Sequence, residues 1–171
     1  MSKPAKHYGK YRGTVVNNID PEQRGRVQVM VPDVLGTTLS GWAMPCVPVA
    51  GPQMGTYMVP LVGSAVWVEF EKGDADLPIW TGGFWGNAGE VPVLALTGGS
   101  PSPNIVVQSE LQNSIVVSDA PGPTGGIMLK SAGGASVIVN DTGIYLQNGK
   151  GASIVLLGPT VDINNGALVL P

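Results

Sequence analysis

Residues 136–165 are one unit written twice. Ser136 aligns with Ser153, Gly143 with Thr160, and Ile144-Tyr145-Leu146 with Val161-Asp162-Ile163, a period of 17 residues. A third copy lies upstream, opened by residues 113–117 and continued by 126–130. Its spacing to the next copy is 22, the extra five residues being the insertion 120–124. A unit this short cannot bury an apolar face alone, so the repeat demands stacked β-structure.

Apolar residues alternate within each unit. Ile115/Val117, Ile127/Leu129, Val137/Val139, Ile144/Leu146, Ile154/Leu156 and Val161/Ile163 each share one side of a strand, the period-2 signature of β-structure. The opposite side, with Val116, Met128, Ile138, Tyr145, Val155 and Asp162, is less polar than an ordinary solvent face. Asn-Asp-Thr-Gly, Asn-Gly-Lys-Gly and Leu-Gly-Pro-Thr supply the turns. Burying twelve aliphatic side chains does not offset the conformational entropy of ordering more than fifty residues. A lone meander of short strands would also leave open edges. Both problems ease if several chains wrap round one axis and pair edge to edge, so an intertwined oligomer is expected. A short single-chain β-solenoid is the alternative that periodicity leaves open.

The 171 residues allow one or two small domains. With 25 Gly, 15 Pro and 12% charged residues, the composition suits turn-rich β-structure, and 43% apolar content excludes disorder. A net charge of −3 lacks the electrostatic footprint of broad nucleic-acid binding. One cysteine, Cys46, and one histidine, His7, permit neither an intrachain disulfide nor a zinc cluster. No secretory signal or span-length apolar run is present.

The first half reads as short strands. YGKYRGTVVN (8–17) is followed by a polar turn (18–25), and RVQVMV (26–31) places Val27, Val29 and Val31 on one face. SGWAMPCVPV (40–49) is extended, but Pro45 and Pro48 confine it to an edge or bulge. Residues 56–60 form a short extended piece. AVWVEFE (65–71) sets Val66/Val68/Phe70 against Trp67/Glu69/Glu71, and 78–82 returns as a last strand. Five strands in about eighty residues fit an OB-type Greek-key barrel. The whole is therefore expected to be all-β: a basic tail at 1–7 (more solvated than docked), an OB-fold barrel at 8–87, a Gly/Pro-broken linker at 88–103, and a C-terminal β-helical spike at 104–171. Nine of ten aromatics precede the linker, which supports the boundary.

The first half also resembles a known module. Asp20-Pro21 followed by Gly25-Arg26-Val27, Trp42-Ala43, Pro60 with Val62-Gly63, Phe70-Glu71 before Gly73-Asp74, and Pro78 before Gly82 occur in the order and spacing of the OB-fold of phage baseplate spike proteins. These are the baseplate assembly protein V family, with the corresponding module of type VI secretion VgrG proteins. The resemblance covers about residues 8–87, with a typical β-helical continuation. It implies a homotrimer, an intertwined trimeric β-helix with the twelve alternating residues as its core, and the structural role of a membrane-piercing needle in a contractile injection system. It implies a separate hub protein, since the chain carries no hub domain, and hence a phage tail or extracellular phage-tail-like particle assembled in the cytoplasm. The His-X-His iron motif of some spike tips is missing, so no metal or other cofactor is expected. The uncharged end, with Asn164, Asn165, Ala167, Leu168, Val169 and Leu170, is a candidate platform for a PAAR-like tip protein; sealing the needle's own core is its equal alternative. The target on firing would be a cell envelope.

No catalytic constellation competes with this reading. Asp74-Ala-Asp76 lacks the further oxygens of a calcium loop and reads as a turn. Glu69/Glu71 share a strand face without a sugar cleft. Cys46 sits in an apolar, Pro-rich stretch and is expected to be buried. Ser114, Ser136 and Ser153 recur with the repeat and are architectural. The rival reading is an OB-fold nucleic-acid or other ligand-binding module using Trp42, Trp67, Trp80 and Trp85. The first hundred residues, however, carry seven basic and eight acidic groups, so nucleic acid is not expected.

Overall fold

The structure is a computed structural model and describes residues 5–98 and 102–170. The chain divides into two compact units, Met1–Ala88 and Gly89–Pro171, and each is described by itself.

In the first unit, β1 (Tyr11–Asn17), β2 (Val27–Met30) and β3 (Leu39–Pro45) follow one another, with a single helical turn, α1 (Pro32–Leu35), before β3. A minimal hairpin, β4 (Ala50–Gly51) and β5 (Met54–Gly55), forms its own two-stranded sheet, and β6 (Ala65–Phe70) and β7 (Pro78–Gly83) complete the set. Five strands close into a barrel in the order β1-β2-β3-β7-β6. Alternation explains what fills it. Val27, Val29 and Val31 from one run and Val66, Val68 and Phe70 from another are buried, joined by Val15, Ala43 and Trp80. Gly13 lets β1 and β6 close together, because a Cβ there would lie 2.8 Å from Cγ2 of Val68.

The prolines of the third strand predict an edge, but β3 has β2 on one side and β7 on the other. Their effect is local. The β3–β7 seam is parallel and short, Met44↔Ile79 and Pro45↔Trp80. Proline has no N–H to give, and the next donor, the Cys46 N–H, reaches the Trp80 carbonyl at 2.9 Å. Residues 56–60 form no strand; Thr56 N–H bonds to the Val49 carbonyl and extends the β4–β5 hairpin.

The second unit opens with a helical turn, α2 (Val93–Leu96), inside the stretch expected to be irregular. Asn104 ties it to the first strand: its N–H donates to the Ala95 carbonyl and its side-chain amide to the Leu94 carbonyl. Eight strands follow: β8 (Ile105–Gln108), β9 (Ser114–Ser118), β10 (Gly126–Lys130), β11 (Ser136–Asn140), β12 (Gly143–Gln147), β13 (Ser153–Leu157), β14 (Thr160–Ile163) and β15 (Leu168–Leu170). They form one antiparallel sheet in chain order. Strand pairing, assigned from sequence to several wrapped chains, is met within one chain from β9 to β14. Tight connections place each strand beside the last, and asparagines hold them: Asn140 Oδ1 accepts from the N–H groups of Thr142 and Gly143, and Asn148 Oδ1 from those of Lys150 and Ala152. The insertion 120–124 folds against the β11–β12 turn, with Gly122 N–H donating to Asp141 Oδ2 and the Asn140 side-chain amide to the Pro123 carbonyl.

Candidate functional site: an uncharged sheet face

Cross-strand register converts the alternation into two continuous rows. One runs Ile105–Val117–Ile127–Val139–Ile144–Leu156–Val161 and on to position 170. The other runs Val107–Ile115–Leu129–Val137–Leu146–Ile154–Ile163–Leu168. All twelve residues expected in a core stand in these rows, lengthened by Ile105 and Val107 at one end and Leu168 at the other. Strand-by-strand alternation found the twelve; β8 was missed because a four-residue run after a Gly/Pro-rich stretch carries little periodic signal.

The rows carry no charged or polar side chain, yet one chain leaves most of them exposed, only Leu156, Val161 and Ile163 being half-buried among the residues expected in the core. Ile127 is 51% exposed and Leu129 47%, whereas Val116 on the opposite face is 4% exposed. A monomeric protein rarely presents so large a contiguous apolar surface to water. The opposite face is mixed: an apolar middle row of Val106, Val116, Met128, Ile138, Tyr145 and Val155 runs on to Asp162, beside a polar register row of Gln108, Ser114, Lys130, Ser136, Gln147 and Ser153. The remaining charges of the strand region, Glu110, Asp119, Asp141 and Lys150, lie outside the strands. The hydroxyls of Ser114 and Ser153 are buried and have no hydrogen-bond partner within the chain.

Of the candidate tip residues, Asn164 and Asn165 take left-handed conformations, φ 53° and 54°, in the turn before β15. The Gly166 N–H is held by Asp162 Oδ1 at 2.7 Å, and Leu168 is exposed. Ala167 closes the turn through its N–H to the Asn164 carbonyl. β15 pairs only with β14 and is a sheet edge; the side chains of Val169 and Leu170, and Pro171, lie outside the described residues.

The barrel's polar centre is a turn lock. The Asp20 carboxylate accepts from the N–H groups of Glu22, Arg24 and Arg26, and from Nε and Nη2 of Arg26, the shortest at 2.7 Å. The Arg26 guanidinium, then these backbone donors, hold the Asp20 carboxyl well below the usual carboxylate range against the opposing effect of burial. Arg26 also reaches Glu22 at 3.0 Å and lies over the Trp42 ring at 5.5 Å. The polar turn 18–25 is thus locked from inside.

The four tryptophans do not offer four free stacking platforms. Trp80 is in the core, its Nε1–H donating to the Gly25 carbonyl. Trp42 is covered by Arg26, and Trp67 packs on Phe84 at 4.7 Å with Arg12 over both rings. Trp85 is exposed. Asp74 Oδ1 accepts the Asp76 N–H within a turn, and Glu69 pairs with Lys10 at 2.8 Å. Cys46 is exposed, contrary to expectation. Ala43 and Val47 point to the core, leaving Cys46 with Met44 on the outer parity. The tail is not wholly solvated either. Lys6 lies 3.9 Å from Asp74, the His7 N–H donates to the Gly73 carbonyl, and the half-buried His7 ring packs near Tyr11 and Phe70. Met1–Pro4 lie outside the described residues, as do positions 99–101 of the linker.

A closed barrel with an internally locked turn is thus followed by a self-paired sheet with one apolar face. Residues 11–85 match the type VI secretion system/phage-baseplate injector OB domain, and residues 104–169 match the phage baseplate V C-terminal trimerisation domain. The chain belongs to the phage baseplate V spike family, with its OB domain and its trimerisation domain in that order. A search of curated proteins finds no match to the chain. These are structural baseplate families, and the protein is a baseplate component of the injector type.

Proposed function

We propose that the chain is the central spike of a contractile injection system, a phage tail or an extracellular phage-tail-like particle, and acts as a trimeric needle that pierces a cell envelope. The carrying observation is the pair of uninterrupted apolar rows left uncovered by a single chain in a matched trimerisation domain. Three copies turning these faces to a common axis form a β-helical needle whose core is the twelve residues from Ile115 to Ile163 named above. At about 4.8 Å per strand spacing, eight strands stack to roughly 34 Å, comparable with the roughly 30 Å hydrocarbon core of a bilayer. The mechanism is mechanical: ladder hydrogen bonds within each chain and an apolar core between chains carry load without any bond being made.

A separate hub protein has a surface to meet on the barrel. From Val34 to Val68 there is no charged residue, and this stretch exposes Met54, Tyr57 and Met58 around a cleft of about 630 Å³ at the β4–β5 hairpin. The β15 edge and the turn holding Asn164 and Asn165 suit a PAAR-like tip protein. The domain limits follow as barrel 8–87, linker 88–103 and spike 104–171.

Light scattering of the purified protein tests this reading. A mass near three times 17.6 kDa, stable in mild detergent, is expected. Gold labelling of a tagged copy should then mark the baseplate end of purified particles. A folded monomer, or label along the tail shaft, would overturn it.

A further inference from the structure

We propose that neighbouring copies meet unlike row to unlike row: the Ile144 row of one chain packs on the Leu146 row of the next, continuously round the threefold axis. The inference rests on the trimeric reading above and adds how the copies contact.

Two observations carry it. First, the face has two rows and no central one. On β12, Ile144 and Leu146 flank Tyr145, which points to the opposite face, and register repeats this arrangement from β9 to β14. No side chain stands at the middle of the face to meet its two symmetry mates on the axis. A cyclic trimer makes heterologous contacts, each copy offering one flank to one neighbour and the other flank to the second. A face with a left row and a right row then places the left of one copy against the right of the next.

Second, the Leu146 row is bordered by a receiving groove. Two clefts of about 570 and 470 Å³ run along it, sharing Ser136, Val137 and Gln147. Small residues, including Ala135 and Ala152, line the side of the strand ends. The groove is aliphatic along its floor, and the facing row it would receive, Ile127, Val139 and Ile144 among others, is aliphatic and uncharged. A second copy of this chain would lay its aliphatic row along that floor, with Ser114, Lys130, Ser136, Gln147 and Ser153 at the groove's polar margin.

Cysteine crosslinking tests the arrangement in full-length protein carrying Cys46→Ser. Ile144→Cys marks one row. Leu129→Cys, Val137→Cys, Leu146→Cys and Ile154→Cys mark the other at successive levels, covering any offset along the axis. Each is made singly and combined with Ile144→Cys, then oxidised and run on a non-reducing gel. At least one combination should give a covalent species at three times the chain mass, because each chain links to both neighbours, while every single variant stays at the mass of one chain. Crosslinked dimers from a single variant mean that like rows meet, and overturn the proposal. So does a failure of all four combinations to crosslink in protein whose native mass is that of a trimer. A monomeric native mass in the Cys46→Ser parent overturns the trimer itself, which separates the two readings. If Ile144→Cys lowers the native mass before oxidation, Val139→Cys replaces it in the same row.

Discussion

Asp20 shows how much one side chain decides in the barrel. Its carboxylate gathers three backbone N–H groups and two nitrogens of Arg26, so the turn before β2 has one conformation. Asp20→Asn removes the charge and should lower the barrel's melting temperature by several degrees at neutral pH. Because Arg26 holds the folded-state carboxyl below its unfolded value of about 3.9, the contribution is complete above that value. It is lost as pH falls from about 4 towards the folded-state value. The gap between wild type and variant, followed by circular dichroism melts from pH 7 to pH 3, should therefore hold steady and then narrow below about pH 4. In the sequence Asp20 and Arg26 were visible only as markers of a family pattern. Charges in a Gly/Pro-containing turn read as solvated until their partners are located. Cys46 was misjudged because local apolarity was weighed above strand parity.

At the scale of elements, sheet register depends on glycines that no local rule singles out. Gly126 opens β10 with φ +85°, and a Cβ there would fall on the Val139 carbonyl oxygen and Asn140. Gly126→Ala should destabilise the second unit by more than the roughly 1–3 kcal/mol of a strained backbone alone, with amide exchange accelerated first in β10 and β11. Gly151→Ala is the comparison: φ is +101° but the space is open, so only the strain is expected. Strand existence and face were legible from alternation in β2, β6 and β9 to β14. Position in the sheet was not. The prolines of β3 correctly marked a weak seam but not a free edge, since closure of the barrel depends on β7, more than thirty residues away.

For the whole molecule, two separate cores predict two separable failures. Leu146→Asp places a charge in the uncovered face and should lower the native mass threefold, from three times 17.6 kDa to one, while barrel near-ultraviolet signals persist. Phe70→Ala removes a buried ring of the barrel and should cost about 3–5 kcal/mol there, leaving the native mass unchanged. If either variant abolished both barrel order and assembly, the two units would share one stability.

The amino-acid sequence by itself determined which residues alternate, where turns fall, and that the 17-residue repeat needs a partner for its apolar side. These follow from period-2 geometry and turn chemistry, which act over a few residues. Tertiary structure alone decided which strands are neighbours, that pairing from β9 to β14 closes within one chain, and that Asp20, His7 and Cys46 lie where they do. Those outcomes depend on contacts between distant segments, and local propensity holds no record of them. The two-row face joins both levels: alternation wrote each pair of residues, and register aligned the pairs into a surface that one chain cannot cover.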